Sequence, residues 1–450
     1  MRGRPMFHSI VLAALALGCG TTRTEEAPPP PVEPEPAPSP PPSILLITSD
    51  TTRADHLGAW GYGRATSPTI DRLAREGVRA ENAITTMPTT DPAHLSILTG
   101  LYPRSHGVRR NGVRAVPDLD NLARWAGARG RTTAAFVSRQ HVRPSELGLA
   151  GFDHEDGPST PQRPGGETLA RALEWLADHG ESPYFLWVHF FDPHRPYAAP
   201  EPFARRFVPE GVTEVPATQR TAHLTPDRAR LFEAQYDAEI AYTDSLVARL
   251  LAAARDDDQN PLVVLAADHG EHMDELWERH RFVFGHGKFL HAGSLHVPLV
   301  FHWPGHLTPR VVSTPVSLVD VSATVFAALG EPGFEASGRD ILEGPPRART
   351  FIERCELDED YRTRRGLPVA EVAVRDAQYH LILSSPGDRV QLYDHRADPL
   401  EERNLAEAQP EVVSRMRAAL DAWHRETPAV GTAALDPQRI EALRALGYIE

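Results

Sequence analysis

The stretch Ser43-Ile44-Leu45-Leu46-Ile47-Thr48-Ser49-Asp50 is an unbroken aliphatic run closed by two hydroxyls and a carboxylate. It leaves no polar face, so the strand it forms must be covered by protein on both sides. A helix follows: Ser67 is a candidate cap, Pro68 suits the first position, Ile70, Leu73 and Ala74 make one face, and Gly77 stops it. The unit recurs downstream. Leu169, Ala172, Leu173 and Leu176 line a helix ending at Gly180, Tyr184 to Phe191 is the next strand, and Asp192 and His194 come straight after it. Thr225 caps a long helix that starts at Pro226 and carries Leu231, Tyr236, Ile240, Leu246 and Leu250. Leu262 to Ala266 is again a buried strand, followed by Asp268-His269-Gly270. This alternation predicts a doubly wound α/β fold on a mostly parallel sheet. Three strands ending in acids or imidazoles place chemistry where open parallel sheets bind ligands. Beyond Val311 the pattern loosens: Val372 to Val374 and Tyr379 to Leu383 read as short antiparallel strands, and a last helix runs near Pro410 to Glu426. A main domain over 43–330 and a small C-terminal α+β subdomain over 331–450 are expected.

Upstream of Ser43 the composition changes. Arg2 and Arg4 precede a short apolar run, Ile10 to Leu17, closed by Gly18-Cys19-Gly20. That is the layout of a secretory signal, too short to span a membrane. Cysteine after small and apolar residues resembles a bacterial lipobox, with Ala16 where Leu is commonest. Residues 1–19 are therefore expected to be a lipoprotein-type signal, with Cys19 as the lipid anchor of an exported, cell-envelope protein. Residues 20–42 are rich in proline and lack apolar periodicity, as a polyproline spacer would. Nothing downstream is long and apolar enough for a transmembrane helix.

The chain has 450 residues, 41% hydrophobic and 24% charged, the balance of a folded domain rather than a disordered tail. A net charge of -14 argues against a nucleic-acid partner, which needs a basic face. It leaves anionic small substrates open, because local Arg, Lys or metal overrides the global sign. Two cysteines, Cys19 and Cys355, exclude a disulfide framework, and Cys355 reads as an inert thiol.

The segment Thr89-Thr90-Asp91-Pro92-Ala93-His94-Leu95-Ser96-Ile97-Leu98-Thr99-Gly100 is followed by Tyr102-Pro103 and His106-Gly107-Val108. It resembles the signature of the sulfatase family in the alkaline phosphatase superfamily: Cys or Ser, a Pro two residues on, an Arg two further, then Leu-Thr-Gly. Further blocks recur in the family's order. Asp50 to Gly58 with Gly61-Tyr62-Gly63, then Asp192-Pro193-His194-Arg195-Pro196-Tyr197, resemble its first two. Asp268-His269-Gly270-Glu271, His286-Gly287-Lys288 and Val297-Pro298-Leu299 resemble the next. Ser317 to Val321, Leu392-Tyr393-Asp394, Asp398-Pro399 and Asn404-Leu405 complete the set. Two positions depart from it. Thr90 stands where Cys or Ser is oxidised to formylglycine, and His94 stands in place of Arg. Threonine cannot give that aldehyde, but superfamily members with a threonine use a hydroxyl activated by a divalent cation.

The resemblance implies that Asp50, Thr90, Asp268 and His269 surround one ion. Thr51 replaces a frequent second acid, and His269 replaces the Asn of calcium-binding members. Zinc or manganese is therefore favoured over calcium. Asp192, His194 and His286 are either ligands of a second ion, or His194 and His286 meet substrate oxygens directly with one ion present. Asn111 is a candidate donor to a transferred oxygen or half of an Asn-Gly turn with Gly112; Lys288 neutralises the transferred group or is a solvated lysine. Arg139 and His141 lie near a Lys-x-His block whose flanks do not match. The implied activity is metal-dependent hydrolysis of an anionic sulfate or phosphate ester with Thr90 as nucleophile. A phosphodiesterase or phosphoglycerol-type transferase is the competing enzyme reading, and a non-catalytic surface binding protein is the third.

Overall fold

The computed structural model describes residues 40–210, 212, 225–255, 260–354, 357, 359–385 and 389–431. The expected signal, Cys19, most of the spacer and Cys355 lie outside these residues. Among the described residues no helix is long and apolar enough to cross a membrane.

Nine strands form one mixed sheet: β1 (Ile44–Ser49), β2 (Val78–Ile84), β3 (Thr132–Val137), β4 (His154–Asp156), β5 (Tyr184–Phe190), β6 (Leu262–Ala267), β7 (His296–Val297), β8 (Leu299–His302) and β9 (Arg310–Ser317). Their order is β4, β3, β5, β1, β6, β8, β2, β7, with β9 beside β2. The run from β4 to β6 is parallel, whereas β8 joins β6 and β2 antiparallel. The sheet is thus the expected α/β layer with an antiparallel shoulder.

The aliphatic strands are buried on both faces because alternate side chains feed two cores. Ile44, Leu46, Phe185, Trp187, Leu262 and Val264 pack on one side with Leu95 and Leu98 of the Thr90–Thr99 helix and Val321 and Val325 of the Asp320–Leu329 helix. Leu45, Ile47, Leu186, Val188, Val263 and Leu265 pack on the other, against the Pro68–Glu76, Gly165–His179 and Pro226–Ala254 helices. Each large aliphatic side chain buried here is worth about 1.5–3 kcal/mol. In the long helix Phe232 faces the core and Leu231 is half-buried, one position off the expected stripe. Thr225 caps that helix as expected, accepting from Arg228 N.

A second, antiparallel sheet consists of β10 (Thr350–Glu353), β11 (Ala370–Arg375), β12 (Tyr379–Ser385) and β13 (Val390–Asp394). The Pro410–Glu426 helix packs Met416, Leu420 and Trp423 against it, and that core also takes in Tyr102 and Val319.

Register positions the chemistry. Ser49 of β1 is paired with Phe190 of β5 and Ala267 of β6, so three neighbouring parallel strands end level. Asp50 and Asp268 are the next residues on two of them, and His189 is the penultimate residue of the third.

Candidate active site

Asp50, Asp268 and His269 offer ligand atoms that all lie within 4.8 Å of one another, and all three residues are buried. Asp268 Oδ1 accepts from Thr51 N and His269 N, at 3.2 and 2.8 Å. Among the described residues its Oδ2 and both oxygens of Asp50 have no hydrogen-bond partner. His269 Nδ1 lies 3.0 Å from Gly270 O, a carbonyl that can only accept, so Nδ1 carries the hydrogen and Nε2 is bare. That Nε2 faces Asp268 Oδ2 at 3.4 Å and Asp50 Oδ1 at 3.9 Å. Burial, with mutual repulsion added for Asp50, raises both carboxyl groups well above the usual range. Burial pushes His269 well below its ordinary value. Buried lone pairs converging without a proton donor are what a cation needs and what an apo site tolerates poorly. Two carboxylates, one neutral imidazole and a hydroxyl are a donor set that fits a divalent cation.

Thr90 is the first residue of the Thr90–Thr99 helix and is fully buried, with Oγ1 3.3 Å from His269 Nε2. A helix N-terminus directs backbone N–H groups and a partial positive charge at whatever forms there. The helix is not amphipathic: all ten residues are buried, and its polar members meet polar partners inside. His94 Nδ1 donates to Thr90 O, and its Nε2 meets Thr48 Oγ1. Burial lowers His94 to about 4, so a neutral ring replaces the family's arginine. Asp91 N donates to Asn111 Oδ1, while the Asp91 carboxylate takes Gly112 N on one oxygen and His141 Nδ1 on the other. Asn111 is therefore beside Thr90, its oxygen committed to the helix and its NH2 group still a donor.

His286 and His194 extend the site. The His269 and His286 rings are 4.3 Å apart, and His286 and His194 are 5.1 Å apart. His286 Nδ1 is held by Glu271 Oε1 at 3.0 Å, and the Glu271 side chain is fully buried. Gly270 is required between His269 and Glu271, since a Cβ there would lie 2.2 Å from Gly293 O. Asp192 Oδ1 accepts from Gly165 N at the start of the Gly165–His179 helix, while its buried Oδ2 has no hydrogen-bond partner among the described residues. Lys288 lies with Nζ 5.8 Å from the Phe282 ring centroid.

Arg139 and His141 follow β3 and do join the site. Arg139 stacks on Phe191 at 4.6 Å, and its charge acts on Asp50. Reading the sequence missed His189, which lies 3.7 Å from Asp50, and the supporting parts of Glu271 and Asp91. The available signal for His189 was an imidazole inside a strand otherwise apolar and aromatic.

With fold and site in place, comparison with known proteins agrees. A family model described as Sulfatase matches residues 42–331. A choline-sulfatase of Rhizobium meliloti is 25% identical over 418 residues, covering 76% of this chain and 78% of the relative. An N-acetylgalactosamine-6-O-sulfatase of Bacteroides thetaiotaomicron is 21% identical, covering 84% and 92%. The crystal structure of a phosphonate monoester hydrolase of Agrobacterium radiobacter superposes with a TM-score of 0.72 at 24% identity, covering 86% and 96%. The chain belongs to the sulfatase family of the alkaline phosphatase superfamily. It is a hydrolase of that family.

Proposed function

We propose that this chain is a metal-dependent hydrolase of sulfate or phosphate esters with Thr90 as nucleophile. The observation that carries the reading is the meeting of Asp50, Asp268 and His269 beside the Thr90 hydroxyl, 3.3 Å from His269 Nε2. These four residues would hold a divalent cation, which when bound lowers the pKa of a hydroxyl and polarises an ester oxygen. Thr90 Oγ1 attacks sulfur or phosphorus in line, the bond to the leaving oxygen breaks, and a covalent ester forms on Thr90. The Asn111 amide NH2 group donates to the transferred oxygens. His286, backed by Glu271, and the adjacent His194 relay protons to the leaving oxygen and from the water that then hydrolyses the ester.

Relatives carry names for sulfate esters and a solved relative for phosphonate monoesters, so the shared target is a tetrahedral anion. Thr90 favours phosphorus. With a single hydroxyl it has no second oxygen to push the transferred group out, so water must attack the central atom. Phosphate diester hydrolysis and headgroup transfer are therefore the second reading. Parallel assays of an aryl sulfate and an aryl phosphate diester, with wild type and Thr90→Ala, test both. Hydrolysis of neither ester by metal-loaded protein would end the proposal.

We further propose export and membrane attachment through a lipid on Cys19, supported by the Ile10–Leu17 run, Gly18-Cys19-Gly20 and the proline-rich residues 20–42. Cys19→Ala should move the protein from the membrane to the soluble fraction; an unchanged distribution would count against the anchor.

A further inference from the structure

Thr51 follows Asp50 just beyond β1 and has φ +50°, in the left-handed region. Among the described residues it is the only β-branched one there, and a branched Cβ makes that conformation costly. Its own side chain does not hold it. Thr51 Oγ1 is buried and, among the described residues, has no hydrogen-bond partner. The backbone carries the contacts instead. Thr51 N donates to Asp268 Oδ1 at 3.2 Å, and Thr51 O accepts from the Tyr236 hydroxyl at 2.7 Å. The same hydroxyl oxygen accepts from Arg53 N at 2.9 Å.

Tyr236 lies in the Pro226–Ala254 helix and is wholly buried. A phenol gives one hydrogen and can also accept, so both bonds form at once and grip the two ends of the 51–53 turn. The grip reaches the cation site through Asp268. Thr51 N and His269 N both engage Asp268 Oδ1, so the carboxylate cannot rotate freely. Its Oδ2 is left without a partner and faces His269 Nε2 at 3.4 Å. A turn that relaxed at Thr51 would withdraw one of the two donors that set this orientation.

We propose that Tyr236 is a positioning residue of the metal centre: its hydroxyl holds Thr51 in the left-handed conformation, and the Thr51 N–H in turn fixes Asp268 with Oδ2 toward the cation. The inference rests on the metal-dependent reading above. It gives the strain at Thr51 a function, since the strained conformation is what aims the N–H at Asp268.

Tyr236→Phe removes the hydroxyl and keeps the ring. Zinc affinity of the folded full chain, measured in competition with a chelating dye, should fall by about tenfold or more. Adding Thr51→Gly should recover part of that loss, at least about threefold, because glycine adopts the left-handed conformation unaided and keeps the N–H. A purely structural role for Tyr236 predicts no such rescue. Circular dichroism verifies folding. If Tyr236→Phe does not fold, Thr51→Gly alone is read: affinity close to wild type supports the proposal, and a tenfold loss overturns it. Unchanged affinity in folded Tyr236→Phe, or a loss that Thr51→Gly does not relieve, also overturns it. A folded wild type that binds no zinc removes the metal-dependent reading itself, a different result from zinc held equally well without the Tyr236 hydroxyl.

Discussion

Asp91 Oδ1 lies 2.5 Å from His141 Nδ1, and both side chains are buried. The other carboxylate oxygen takes Gly112 N at 2.6 Å, and the Asp91 amide donates to Asn111. One residue next to Thr90 thus ties the 111–112 turn and the segment after β3 to the start of the Thr90–Thr99 helix. Asp91→Ala should cost about 3 kcal/mol or more in denaturant unfolding, because it strands buried donors. It should also lower kcat by roughly a hundredfold through displaced groups. A variant with wild-type stability and kcat would show that the clasp does nothing.

Thr90→Ala removes the hydroxyl and leaves the Asp50, Asp268 and His269 cluster. Turnover should fall by roughly four to six orders of magnitude, while mass spectrometry of quenched reactions loses the covalent adduct. Thr90→Ser should keep the adduct. Substantial activity in the alanine variant would take Thr90 out of the chemistry.

Metal removal should abolish activity and lower thermal stability, since the carboxyl groups of Asp50 and Asp268 are then buried without compensation. Zinc or manganese should restore activity better than calcium. Asp268→Asn should bind no metal yet be more stable than the metal-free wild type at neutral pH, the pattern of a site strained for function. A chelated wild type that melts where the loaded protein does would contradict this.

Glu239 is raised to about 9, first by burial and then by Asp192, itself raised by burial to about 6. Between the ordinary glutamate value of 4.5 and about 9 the folded state binds the proton that the unfolded state has lost. Stability therefore falls as pH rises through that window. Glu239→Gln keeps an acceptor for Ala198 N and removes the titration. Its unfolding free energy should decline less from pH 5 to pH 9, and parallel curves would refute the assignment.

Glu401 ties the loop at His291 to the second sheet. It takes His291 Nδ1 at 3.0 Å, His380 Nδ1 at 2.7 Å and Arg375 Nη1 at 3.4 Å, all buried. Glu401→Ala leaves a buried guanidinium without its partner and should destabilise by about 3–5 kcal/mol. A loss below about 1 kcal/mol in chemical denaturation would mean that water replaces the carboxylate at little cost.

The core strands and helices were legible because their signal is local. The aliphatic runs of β1 and β6 cannot face water, and the Pro410–Glu426 helix carries its period in its own residues. Helix ends were less so. Ser67 was the expected cap, but its hydroxyl goes to Asp71, and the Asp244 carboxylate accepts from Thr69 N and Ile70 N instead. No local pattern predicts a cap supplied 175 residues away. The same holds for Asp192, whose Oδ1 takes the N–H of Gly165 at a helix start 27 residues upstream.

By itself the sequence determined the layered α/β fold and the family, since these follow from contiguous runs and ordered motifs, and through the resemblance it singled out Asp50, Thr90, Asp268 and His269 as the candidate centre. Only the tertiary structure decided which of the remaining polar groups face that centre and which nitrogen of each ring carries its hydrogen. His189 meets Asp50 and Thr48 across 139 and 141 positions of chain. Side-chain direction and tautomer are set by partners brought together through strand register, and register is a property of the folded sheet.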